Sequence, residues 1–151
     1  MIYILGIIGI VFGERKLKQY IEDNKCLGKE ERIANGKIII TKYHNKGAAL
    51  NFMEKHPNIL ITIICMMIGL VILAFAKLLG KKGEVVTKLG FTLILGGAFS
   101  NLLDRLEHGY VIDYFRFNWG KKFRKIVFNL ADMCIILGSI VVFLASLFRK
   151  E

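Results

Sequence analysis

Three aspartates stand in sequence so apolar that ionising them there is costly, and they are the natural place to look for chemistry. They lie in the stretch GGAFSNLLDRLEHGYVIDYFRFNWGKKFRKIVFNLAD, from Gly96 to Asp132. A carboxylate withdrawn from water needs hydrogen bonds, a counter-charge or a proton. Asp104 has Arg105 beside it and Asn101 one turn back, which suits a structural ion pair or a helix-end role. Asp113 and Asp132 have no cationic neighbour at helical or strand spacing, and their apolar surroundings should raise their pKa. If the two converge, mutual repulsion leaves one proton shared between them at neutral pH. One carboxylate can then activate water while the other protonates a carbonyl or a leaving amine, as in an aspartic protease. The alternative is that each aspartate satisfies separate backbone donors; intramembrane acids also serve proton-coupled transport.

The elements that must carry these residues can be read from the blocks of apolar sequence. Asn58–Ala76 is 19 residues without a charge, directly after Pro57. At ~1.5 Å per residue it roughly spans a ~30 Å hydrocarbon core. Ile126–Phe148 is 23 residues with one charge, Asp132. Leu89–Leu103 is 15 uncharged residues, extendable to Val85 past a snorkelling Lys88. Met1–Gly13 is too short alone and is read as a helix continuing through Ile21. The expected spans are therefore about 2–21, 58–79, 85–104 and 126–148, in one integral membrane domain over residues 1–151. No basic region precedes the first apolar run and no small-x-small site follows it, so a cleaved signal peptide is not expected there.

Between the spans, the Asp113 segment reads as a strand. Tyr110–Phe117 (YVIDYFRF) is aromatic and β-branched. Alternation puts Val111, Asp113 and Phe115 on one side, and Ile112, Tyr114 and Arg116 on the other. Ile38–Tyr43 reads as a second strand behind the turn signal Ala34-Asn35-Gly36-Lys37. Glu22–Arg32 is polar and reads as loop or interfacial helix, and Gly120–Lys125 as a basic loop. Asn101, Asp104 and Arg105 share a helical face, behind the small residues Gly96, Gly97, Ala98 and Ser100 that let helices approach closely. Asn129 and Asp132 share another, with Asp132 about 9 Å along the helix from Ile126, at interface depth. Asn45 could simply stabilise a turn in which Gly47 takes a positive φ. Glu14 and Lys18, four apart, form either an ordinary interfacial ion pair or a support for the site.

Composition agrees with a membrane location. Hydrophobic residues make up 54% of the chain and the mean hydropathy is +0.49. The net charge of +10 points in this setting to membrane lipids and not to nucleic acid. The connections after the first and third spans hold 16 of the 22 Lys and Arg, which by charge alone would put them in the cytoplasm. Cys26, Cys65 and Cys134, and His44, His56 and His108, show no metal-ligand spacing, so no metal is assigned.

GGAFSNLLDR, GYVIDYF and FNLAD, in this order and spacing, resemble the lipoprotein signal peptidases (signal peptidase II) of bacteria. HNKGAAL is similar to that family's Asn-x-Gly-Ala-Ala element, and Glu14…Lys18 to its Asp…Lys pair at the end of the first helix. The resemblance covers nearly the whole chain. It implies four transmembrane helices with a small extracytoplasmic β-cradle and an interfacial helix, both termini in the cytoplasm and the active site near the outer face. That orientation overrides the charge count. It also implies cleavage of lipid-modified prolipoproteins immediately before the diacylglyceryl-modified cysteine, by Asp113 and Asp132, with no metal or organic cofactor. Asn45, Asn101, Arg105 and Asn129 would position substrate or brace the carboxylates, with Gly47, Asp104, Glu14 and Lys18 in support. The enzyme is expected to act as a monomer. This chain departs from the family pattern at Glu14 (usually Asp), His44 (Arg), Leu50 (Phe) and Ser100 (Gly). Two alternatives from other classes are a small four-helix proton-coupled transporter using Glu14 or Asp132, and a catalytically inert membrane scaffold.

Overall fold

A computed structural model of the chain describes residues 1–48, 52–120 and 124–148. Four long helices carry a three-stranded antiparallel sheet between them in sequence. The elements run α1 (Ile2–Asn24), β1 (Glu31–Ile33), β2 (Ile38–Asn45), α2 (Pro57–Leu79), α3 (Val85–His108), β3 (Val111–Phe117) and α4 (Leu130–Leu147). Among the described residues α2, α3 and α4 are long and apolar enough to cross a membrane. The charged second half of α1, beginning at Glu14, sets that helix apart from the other three.

Small residues let α3 touch two partners at once. A Cβ on Gly97 would lie 2.3 Å from the carbonyl oxygen of Ala131 on α4, and one on Gly138 would lie 2.5 Å from that of Gly90. Gly96, on the next position of α3, instead admits Ile10 of α1. Backbone contact this close is the membrane-helix use of glycine. Leu95 and Leu102 of α3 also form an apolar cluster with Ile68 and Phe75 of α2. Lys88 is buried, and its ammonium reaches back to the carbonyl of Lys81 in the loop before α3.

Order β1–β2–β3 follows from one tight turn and one helix end. Ala34, Asn35 and Gly36 all take positive φ and fold β1 back on β2. The Glu22–Arg32 stretch thus splits differently from the expected loop or interfacial helix: α1 continues to Asn24, and Glu31–Ile33 pairs as a strand. At the other junction Gly109, with φ 79°, ends α3 and returns its N–H to the Arg105 carbonyl. β3 starts two residues later, so Asp113 is held close to the end of the helix that carries Asn101 and Arg105.

β2 contains a bulge that matters for the site. Ile40 pairs with Phe115, but Tyr43 pairs with Asp113 and Asn45 with Val111, leaving one extra residue on β2. Alternation is therefore broken: Ile40, Tyr43 and Asn45 lie on the same side as Phe115, Asp113 and Val111. Helix α4 begins at Leu130, four residues beyond the expected start of the span, because Phe128 is extended and bridges to Phe115. Asp132 consequently sits in the first helical turn.

Candidate active site

Asp113 and Asp132 come from different elements and meet at one side chain, Asn129. Asn129 is the N-cap of α4 and is wholly buried, at 0% exposure. Its Oδ1 accepts from the Asp132 N–H at 2.8 Å, while Asp132 Oδ2 accepts from the Asn129 N–H at 3.1 Å. This reciprocal capping satisfies two orphan donors of the helix start and fixes the Asp132 rotamer. The negative charge also stands where the helix dipole favours it. The other end of Asn129 faces the strand: Nδ2 donates to Asp113 Oδ1 at 2.7 Å and to Asn101 Oδ1 at 3.1 Å. Asn101 closes the ring by donating Nδ2 to Asp132 Oδ1 at 2.8 Å.

Asp113, 1% exposed, receives its second bond from Asn45 Nδ2 at 2.9 Å, across the strand pair and diagonal to it. Asn45 Oδ1 also accepts from the Gly47 N–H at 3.1 Å, which bends the chain after β2. Burial, and then the charge of Asp132, push the Asp113 carboxyl up to about 7. The bonds from Asn45 and Asn129 and the charge of Lys18 act in the opposite direction. A proton is therefore held in this ring near neutrality.

Glu14 and Lys18 turn inward, each to a different element, and no ion pair joins them among the described residues. Glu14 Oε1 accepts from the Tyr114 hydroxyl at 2.6 Å and from the Ala131 N–H at 3.0 Å. Lys18, 1% exposed, donates to Asn101 Oδ1 at 3.0 Å and Ser100 Oγ at 3.2 Å, and pairs with Asp104 Oδ2 at 2.9 Å. Asp104 is thus in an ion pair, as its setting suggested, but with Lys18 and not with Arg105. It also accepts the Ile112 N–H at 3.1 Å, tying the start of β3 to α3. Arg105 faces the other way, donating to the carbonyls of Gly47 at 2.8 Å and Asn101 at 3.1 Å.

A cavity of about 440 Å³ opens over this ring. Asn45, Asn101, Arg105, Asp113 and Asp132 line its polar end, while α2, α3 and α4 supply apolar walls, among them Met67, Ile94 and Ile135. Asp104, Glu14 and Lys18 do not line it. An apolar cleft with a few convergent polar groups suits a largely apolar ligand presented to a reactive centre. Sequence reading missed Tyr43 and Lys125, which also line the cavity, and the Tyr114 hydroxyl. A tyrosine on an apolar strand must find a partner for its hydroxyl, and that signal was available for Tyr114.

Two family departures have local accommodations. Ser100 Oγ accepts from Lys18, and His44 Nε2 lies 3.0 Å from Glu22 Oε2 while its ring stacks on Tyr110. Leu50 is outside the described residues. The histidines stay apart from the carboxylate ring, and among the described residues no three His, Cys, Asp or Glu side chains are grouped to hold a metal.

The family model described as signal peptidase (SPase) II matches residues 7–148. A lipoprotein signal peptidase of Bartonella henselae is 35% identical over 153 residues, covering 96% of this chain and 88% of the relative. That of Listeria welshimeri is 30% identical over 141 residues, covering 93% and 90%. Two solved structures, each described as a bacterial membrane enzyme, share the fold at 22% identity. Their TM-scores are 0.81 and 0.78, covering 99% and 98% of this chain and 92% and 94% of theirs. Together with its apolar helices, the match over nearly the whole length shows that this chain belongs to the signal peptidase II family of bacterial membrane proteases.

Proposed function

We propose that this peptidase removes signal peptides from prolipoproteins, cleaving just before the diacylglyceryl-modified cysteine, with Asp113 and Asp132 as its catalytic pair. The observation that carries the reading is the shared Asn129: one amide grips both carboxylate-bearing elements and turns them to one cavity. The ionised carboxylate takes a proton from water as the water oxygen attacks the scissile carbonyl. The protonated carboxyl gives its proton to the carbonyl oxygen. Collapse of the tetrahedral gem-diol breaks the C–N bond: the pair protonates the departing cysteine amine, and one gem-diol hydroxyl returns its proton to the pair as the C=O re-forms. Arg105 and Asn45, at the polar end of the cavity, bind the substrate backbone; Asn101 and Asn129 hold the carboxylates in register.

The supporting arrangement is four spanning helices, α1 included, in one domain, with termini in the cytoplasm and the sheet as a cradle at the outer face. Membrane lipids surround a monomer, and the apolar walls of the cavity accept the lipidated segment. A transporter reading gains no support from Glu14, whose Oε1 is spent on Tyr114 and Ala131 away from the cavity. The test is incubation with a diacylglyceryl-modified prolipoprotein. Asp113→Asn and Asp132→Asn should each lose at least about a hundredfold in turnover while remaining folded in the membrane. Wild-type-like cleavage by either variant would end the dyad proposal.

A further inference from the structure

Tyr114 follows Asp113 on β3 and faces the opposite way, into the contact of α1 with the start of α4. Its hydroxyl donates to Glu14 Oε1 at 2.6 Å and accepts the Leu130 N–H at 2.9 Å. Leu130 is the first residue of α4, and its N–H is one of the donors that a helix start leaves without an intrahelical partner. Glu14 completes the contact by accepting the next N–H, that of Ala131, at 3.0 Å. Three elements are pinned at this point: the strand that carries Asp113, the helix turn that carries Asp132, and α1. Phe128 adds a backbone tie to the same strand, donating its N–H to the Phe115 carbonyl at 2.7 Å.

We propose that Tyr114 is a positioning residue for peptide hydrolysis: its hydroxyl, locked between Glu14 and the Leu130 N–H, sets the spacing of the two reactive carboxylates. The inference rests on the dyad reading above. Asn129 links the carboxylates directly, and Tyr114 links the same two elements from the other face of β3. The hydroxyl adds a side-chain tie to the first turn of α4, beyond the backbone bonds that Phe128 makes to β3. The longer Glu14, where the family usually has Asp, is the side chain that meets the hydroxyl here.

The experiment compares Tyr114→Phe with wild type on a diacylglyceryl-modified prolipoprotein, with turnover expressed per folded enzyme. Phe keeps the ring and removes only the hydroxyl. A shift of about an ångström in a reacting group costs on the order of a hundredfold in rate, so kcat should fall about tenfold or more, with KM within about twofold. The pH profile of kcat should move as well, because the coupling of the carboxylates depends on their separation. A purely structural role would lower the melting temperature and leave kcat and the profile of the folded fraction unmoved. Glu14→Leu, which removes the acceptor at the other end, must displace the profile in the same direction, and it carries the test should Tyr114→Phe fail to fold. Asp113→Asn and Asp132→Asn run in the same assay. If they are active, the dyad reading fails; if they are dead while Tyr114→Phe and Glu14→Leu keep the wild-type kcat and profile, only the positioning inference is overturned.

Discussion

Replacing Asn129 by alanine should damage stability and turnover by separable mechanisms. The side chain makes two kinds of bond. As N-cap it accepts from the Asp132 N–H at 2.8 Å, and losing such a cap costs about 1 kcal/mol. As donor it meets Asp113 Oδ1 at 2.7 Å from a position with no exposure of its own, and a bond to a carboxylate is worth about 1.5–3 kcal/mol. The sum is about 3 kcal/mol, or a drop of roughly 6–12 °C in melting temperature for a chain of this size. Turnover should fall on the order of a hundredfold, since both carboxylates lose the group that orients them. Asn129→Ser divides the two effects. A serine caps a helix as well as asparagine does, so about 1 kcal/mol should return. Its short hydroxyl cannot bridge to Asp113, so turnover should stay at the alanine level. Thermal unfolding in detergent and prolipoprotein cleavage read the two effects. If Asn129→Ser restores turnover along with the melting temperature, Asn129 is only a cap and the bridge has no part in the chemistry.

Further outcomes follow from the same geometry. Asp113 is raised from 3.8 to about 7, so the folded enzyme holds that proton more tightly than the unfolded chain does. The stability this contributes is complete below pH 3.8 and is lost as pH rises through about 7. Asp113→Asn should abolish this component, which amounts to up to about 4 kcal/mol, and flatten the melting temperature between pH 4 and 8. In wild type, kcat/KM should decline above an apparent value near 7 as the shared proton leaves; a rate that climbs steadily to pH 9 contradicts this. Gly97→Ala would put a methyl 2.3 Å from the Ala131 carbonyl, forcing α3 and α4 apart at a cost of about 1–3 kcal/mol and lowering turnover. Gly69→Ala on α2, whose Cβ meets nothing within 4 Å, should leave the melting temperature in place.

The acids were legible because an ionisable group in apolar sequence is conspicuous, whereas their partners are chosen by folding. Asp113 and Asp132 could be picked out together, and the strand that holds Asp113 followed from its β-branched and aromatic residues. Asn45 could not be linked to Asp113 by counting. Simple alternation from Ile38 and Ile40 puts Asn45 on the wrong side of β2, and only the bulge, which leaves no mark in the residue types, turns it toward the carboxylate. Spacing of four suggested that Glu14 and Lys18 could pair, yet buried donors and acceptors on three other elements compete for them and win. Asn101, Asp104 and Arg105 share a helical face in sequence. In the fold that face is wide enough to be divided, with Asp104 turned to Lys18 and Arg105 to the cavity.

The position of Asp132 shows why such chemistry can sit in an apolar chain at all. Counted from Ile126, the residue falls two turns into a helix, where its carboxylate would need a partner from another side chain. Because Phe128 bridges to Phe115 of β3, the helix begins only at Leu130 and Asp132 falls in its first turn. There the backbone itself supplies donors that no preceding turn can use. Asn129 and Asp132 satisfy two of them reciprocally, and Tyr114 and Glu14 satisfy two more. The polar groups required to hold the carboxylates are thus largely the ones that the helix start already leaves unpaired. The strand performs the matching task, delivering Asp113 to this helix end while burying Tyr114 behind it. Placing the pair at a helix start beside a strand lets an acid stay buried enough to retain a proton near neutrality, yet open to the cavity.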